Sequence, residues 1–131
     1  MSAASWPLQK ALFAALTAAL GDAVPVLDDV PQGQAFPYVV IGEDTVTDWP
    51  MLGDDEAEEI DTVIHVWSRY AGKCEVKELM GTIKAALHQQ PLPVDGPQLV
   101  TLRFAFEAVF LEPDGLTRHG VIRFRALLQS A

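Results

Sequence analysis

Apolar residues near the start of the chain recur at helical spacing. Leu8, Ala11, Leu12, Ala15, Leu16 and Ala19 fall on one face of a helix. Ser5 is placed to cap its free amides, Pro7 suits a first turn where a missing donor costs nothing, and Gly21 supplies the stop. Val24 to Val30 is a short extended piece that Pro25 and Pro31 restrict to an edge or irregular strand, and Gln32 to Phe36 is a loop. From Tyr38 the period becomes two. Tyr38, Val40 and Gly42 alternate with Val39, Ile41 and Glu43, and Thr45, Val46 and Thr47 carry the strand to Trp49, so both faces begin apolar and the far half turns polar.

Pro50 to Glu59 reads as a long acidic connection. The next strand, Ile60 to Tyr70, puts Ile60, Thr62, Ile64 and Val66 on one face and Asp61, Val63, His65, Trp67 and Arg69 on the other. A second helix is predicted from about Lys73 to Gln89, with Val76, Leu79, Met80, Ile83 and Leu87 as its buried stripe. The stretch QPLPVDGP cannot continue it. Strict alternation then assigns Val100, Leu102, Phe104, Phe106, Ala108 and Phe110 to one face of a strand and Thr101, Arg103, Ala105, Glu107 and Val109 to the other. Glu112 to Gly115 is a tight turn, with Pro113 presetting one dihedral and Gly115 accepting a left-handed one. Ile122, Phe124, Ala126 and Leu128 form the core face of the last strand, and Arg123 and Arg125 point away.

This order predicts a single domain over residues 1–131 of the α+β class, a mostly antiparallel sheet with two helices packed on one face. The uncovered face should display Asp61, His65, Arg69, Arg103, Glu107, Arg123 and Arg125, a mixed-charge set in which each exposed ion pair is worth at most about 1 kcal/mol.

Composition narrows the function. A net charge of −9 disfavours sequence-independent nucleic-acid binding, which needs clustered Lys and Arg. A single cysteine, Cys74, cannot form an internal disulfide and is weak as a lone nucleophile. Lys10 abuts the apolar stretch Ala11 to Leu20, but no basic n-region leads into it and it is too short to span a bilayer, so no membrane association is expected.

His65, His88 and His119 share no metal-ligand spacing, and the run Asp54, Asp55, Glu56, Glu58, Glu59 and Asp61 lacks the alternating ligands and mid-loop glycine of a calcium loop. No phosphate-binding glycine loop is present. The expectation is therefore no catalytic residue, no metal and no cofactor. A rival reading makes His65, Arg103, Arg123 and Arg125 an anion site on the open face of a small enzyme or binding domain.

Several stretches carry a family resemblance. They are Phe36-Pro37-Tyr38-Val39-Val40-Ile41-Gly42, Val66-Trp67-Ser68 followed by Gly72, and Asp114-Gly115 through Arg118-His119-Gly120 to Phe124-Arg125. With the capped first helix, these resemble small tail-completion proteins of phages and prophages, similar to the tail terminators of long-tailed phages and gene transfer agents. The resemblance implies a virion protein that forms a ring, usually hexameric, capping the head-proximal end of the tail tube. Its partners would be copies of itself, the tail tube protein and a neck or head-tail connector protein. A neck connector ring would present the same composition.

On that reading the overlong strand and its loop, Val46, Trp49, Met51 and Leu52, are the candidate contacts between copies. The alternative is that they fold back as a satellite of the core. The acidic residues Asp54, Asp55, Glu56, Glu58 and Glu59 are the candidate lining of a channel through which DNA slides without adhering.

Overall fold

The computed structural model describes residues 3–53 and 55–130. Its elements follow the expected order: α1 (Ser5–Leu20), β1 (Val26–Leu27), β2 (Tyr38–Trp49), β3 (Ala57–Ser68), α2 (Cys74–Leu87), β4 (Gln98–Leu111) and β5 (Arg118–Gln129). The strands form one sheet in the order β1-β2-β3-β5-β4. β1 runs parallel to β2 through Val26 and Leu27 only, and the other neighbouring pairs are antiparallel.

Both helices cover the same face, as the α+β reading requires. Leu8, Leu12 and Leu16 of α1 and Val76, Met80, Ile83 and Leu87 of α2 join one core with Val39, Ile41, Ile60, Ile64, Val66, Leu102, Ile122, Phe124, Ala126 and Leu128. Each large side chain fully buried here contributes roughly 1.5–3 kcal/mol, which is what fixes the helices to the sheet. Gly120 lets α2 sit close: a Cβ there would stand 2.6 Å from Met80 Sδ and 3.0 Å from Val76 Cγ2.

Several local expectations are corrected. Ser5 caps no amide; its hydroxyl donates to Asp44 Oδ2 at 2.6 Å and ties the start of α1 to β2. The connection after Trp49 ends before Ala57, so Glu58 and Glu59 are strand residues and not part of the loop. α2 stops at Leu87 rather than Gln89, because the next residues turn to the sheet. The Phe104 amide donates to His88 Nδ1 at 2.9 Å, and the Gln89 amide donates to the Leu102 carbonyl at 2.7 Å.

The largest correction is in β4. The register against β5 shifts between Leu99 and Thr101 and again between Phe104 and Phe106. Each shift inserts one unpaired residue, Val100 and Ala105, and a one-residue insertion reverses which face the following side chains take. Leu102 and Phe104 stay on the core face, opposite Ala126 and Phe124. Beyond Ala105, Phe106, Ala108 and Phe110 align with Arg123, Val121 and His119 on the open face, while Glu107 and Val109 turn to the helix side. Lys84 of α2 meets Glu107 there, Nζ to Oε1 at 2.8 Å, so Glu107 leaves the predicted open-face set.

Candidate functional site

The far half of β2 outlives its hydrophobic segment and leaves the core after Ile41. Tyr38 to Ile41 is intermediate to buried, whereas Asp44 to Trp49 is exposed throughout. β1 reaches only Val39 and Val40, so among the described residues the outer edge of β2 from Ile41 to Trp49 meets no strand. The outer edge of β4 likewise meets none among the described residues. The sheet thus has two unlike edges with backbone groups free to pair.

The four predicted contact residues all lie at the β2 end. Val46 is 43% exposed, Trp49 44%, Met51 39% and Leu52 94%, values that fit a protruding hairpin end and not a satellite of the core. They do not share one face. Val46 lies opposite Ile60 on the helix side, and Trp49 opposite Ala57 on the open side, with Met51 and Leu52 in the loop.

The acidic residues are also divided. Asp55 and Glu56 lie in the connection, and Asp54 is outside the described residues. Glu58 is turned to the helix side, where its carboxylate accepts from the Ala4 amide at 3.3 Å. Glu59 is turned to the open face, 3.8 Å from Arg125 Nε. Among the described residues, none of these acids joins a set of three or more metal-ligating side chains.

Two exposed apolar patches were not foreseen. The first is the outer part of β4, where Val100, Phe106, Phe110 and Leu111 are all about half exposed. Only the bulges reveal it, since alternation alone puts the phenylalanines inside. The second lies on the outer face of α1, where Trp6 and Phe13 are exposed and border a cleft of about 250 Å³ with Gln9, Lys10, Asp28 and Ile41. Trp6 and Phe13 stand two helical turns apart, so they lie on one face, and that spacing was a readable signal.

On the open face the predicted cations are largely engaged within the chain. Arg125 Nε donates to Asp61 Oδ1 at 2.9 Å, and this contact raises the guanidinium above its ordinary value. Arg69 lies at the sheet end, donating to Thr117 Oγ1 at 3.1 Å with its guanidinium over the Phe36 ring. Arg103 is exposed on β4, opposite Arg125. His65 sits between two partners: its Nε2 is 2.8 Å from Glu43 Oε1, and its Nδ1 is 2.7 Å from His119 Nε2. Its ring lies over Gly42, where a Cβ would approach to 2.6 Å. The His65 hydrogen bond holds the Glu43 carboxyl below its usual range.

The β4–β5 turn is fastened by Asp114. Its carboxylate accepts from the Leu116 and Thr117 amides, both at 2.8 Å, and from the Thr117 hydroxyl at 2.7 Å. These bonds, the hydroxyl's foremost, lower its pKa to about 2. Gly115 takes the expected left-handed conformation with φ 72°. Cys74 is exposed, but its thiol donates to Glu78 at 3.3 Å, and Glu78 pushes it up. A thiolate nucleophile is disfavoured there.

With this geometry in place, comparison with known proteins is specific. Residues 7–129 match the family model of tail completion protein gp17. The tail completion protein gp17 of Bacillus phage SPP1 is 30% identical over 90 residues, 69% of this chain, and the chain spans 66% of that relative's length. A chain in the virion of a native gene transfer agent particle superposes with a TM-score of 0.86 at 27% identity, over 99% of this chain and 100% of that one. The chain belongs to the tail completion protein gp17 family, and with it to the structural proteins of phage-type tails.

Proposed function

We propose that this protein is a tail terminator, whose copies form a closed ring on the head-proximal end of the tail tube and offer a surface to the neck. One observation carries the reading: among the described residues the far half of β2 and the outer side of β4 are two unlike sheet edges without a strand partner, each beside exposed apolar side chains. A closed ring needs two unlike patches on each subunit, so that one meets the other on the next copy. The β2 hairpin end, with Val46, Trp49, Met51 and Leu52, is one patch. The β4 edge, with Phe106, Phe110 and Leu111, is the other.

The order of strands supports such a contact. β2 and β3 are antiparallel, as are β3 and β5, and β5 and β4, so β2 and β4 run in opposite directions. In a ring built by rotation, β4 of one copy therefore meets β2 of the next antiparallel. The tail tube protein and a neck or connector protein occupy the two ends of the ring. On this reading Asp55 and Glu56 of the connection after β2 keep its lumen negative, which lets DNA pass without the cationic contacts that would hold it.

The test is mass in solution and negative-stain imaging of the purified chain, alone and with tail tubes. Rings, or single subunits that become rings on tube ends, are expected. Trp49→Ala should abolish ring formation and tube capping while lowering stability by no more than about 1 kcal/mol, because the indole is already almost half exposed. A chain that stays monomeric with tubes present overturns the proposal. Unfolding of the Trp49 variant would instead place that residue in the core.

A further inference from the structure

Four side chains that no part of the ring reading uses stand in a line across the open face. Glu43 Oε1 lies 2.8 Å from His65 Nε2, His65 Nδ1 lies 2.7 Å from His119 Nε2, and His119 Nδ1 lies 3.0 Å from Glu112 Oε1. The line joins β2, β3, β5 and the start of the β4–β5 turn. The two histidines are diagonal neighbours on paired strands, since His65 is in register with Val121 and His119 with Trp67. Trp67 stacks on His119 at 3.8 Å with the planes 8° apart, and the Phe110 ring stands 6.2 Å away. The histidine side chains are only 18% and 16% exposed, so water is a poor substitute for the contacts they make.

Proton counting constrains this arrangement. A carboxylate only accepts, so the outer nitrogens, His65 Nε2 and His119 Nδ1, must each carry a hydrogen. If both imidazoles were neutral, those would be their only N–H groups, and two lone pairs would face each other at 2.7 Å. If both were cationic, two N–H groups would collide at the same place. A single additional proton, lying between the inner nitrogens, satisfies all three contacts.

We propose that Glu43, His65, His119 and Glu112 form one proton-binding unit, which holds a single shared proton between the two imidazoles at neutral pH and comes apart when a second is added. The unit then carries one positive charge between two carboxylates, and it fastens three adjacent strands to the turn. Arg123, the next open-face residue of β5 beyond Val121, also acts on Glu43 through its charge. The helices lie on the opposite face.

The direction of the His119 shift agrees. Burial, and then the positive charge of His65, lower it, and Glu112 opposes them. Adding the second proton is therefore resisted. Stability contributed by the neutral His119 is present above the ordinary histidine range and is lost as pH falls through its lowered value.

The test is nitrogen and proton NMR of the full chain labelled at histidine, followed through an acid titration. At neutral pH three of the four ring nitrogens of His65 and His119 should show attached hydrogens, with one strongly deshielded proton coupled to both rings. On acidification that signal should disappear as the fourth nitrogen is protonated, with shifts in the amides of β2 and β5.

Glu43→Gln removes one carboxylate from a largely exposed position and keeps an acceptor. It should shift loss of the shared proton to lower pH. His119→Gln should abolish the shared-proton signal. Two neutral imidazoles at neutral pH, or ring titrations unmoved by either substitution, overturn the proposal. The experiment needs no ring, so failure of ring formation leaves its outcome readable.

Discussion

Phe106→Ala separates two accounts of β4 by magnitude. Strict alternation puts this ring in the core beside Phe104, and truncating a core phenylalanine costs about 3–5 kcal/mol once the cavity is included. The register shift at Ala105 puts it on the open face, 51% exposed and in register with Arg123. Fully burying such a side chain is worth about 1.5–3 kcal/mol, so half burial is worth about 1 kcal/mol, and a surface site leaves no cavity. Urea unfolding of the isolated chain should therefore show a loss near 1 kcal/mol with an unchanged slope. Phe124→Ala is the internal standard: the same truncation at a fully buried position on the neighbouring strand should cost about 3–5 kcal/mol. The mildly destabilised Phe106 variant should also fail to close rings, since its side chain belongs to the proposed contact patch. A loss of 3 kcal/mol or more at Phe106 would refute the bulge and the β4 patch together.

Two further outcomes are expected. Gly120→Ala should lower stability by about 1–3 kcal/mol in urea unfolding, because its Cβ would press on Met80 Sδ at 2.6 Å and on the less mobile Val76 Cγ2 at 3.0 Å. Asp114→Asn should flatten the acid limb of the stability curve. The carboxyl pKa is lowered from 3.8 to about 2, so its contribution is present above 3.8 and lost as pH falls toward 2, and a wild-type-like acid limb in the variant would remove Asp114 from that role.

Much of the fold was legible because its periods are clean. Leu8 to Ala19 and Val76 to Leu87 repeat at helical spacing, and Ile60 to Val66 and Ile122 to Leu128 alternate without interruption. The stretches that carry the family resemblance have physical reasons that the structure supplies. Asp114 and Gly115 make the turn, Gly120 admits α2, and Gly42 admits the His65 ring. What stayed hidden was of two kinds. Period-two reading has no mark for an inserted residue, so the bulge at Ala105 reversed the faces of Phe106, Glu107 and Phe110 unseen. Contacts across strands depend on register, and His65 and His119, 54 positions apart, meet only because β3 and β5 pair as they do.

Charge favours the proposed head-to-tail contact over a symmetric one. None of the nine Lys and Arg residues lies between Ala11 and Ser68, a stretch that holds most of the acids and builds β1, β2 and β3. Apart from Lys10 and Arg69, the cations belong to α2, β4 and β5 or their flanks. Because β4 and β5 lie together on one side of the sheet, a division along the sequence becomes a division across the molecule, with an acidic edge at β2 and a charge-balanced one at β4. A two-fold dimer through the β2 edge would set like charge against like. In the proposed ring, β4 of one copy, where Arg103 and Glu107 balance, would meet the acidic β2 of the next without that repulsion. A net charge of −9 also repels loose aggregation.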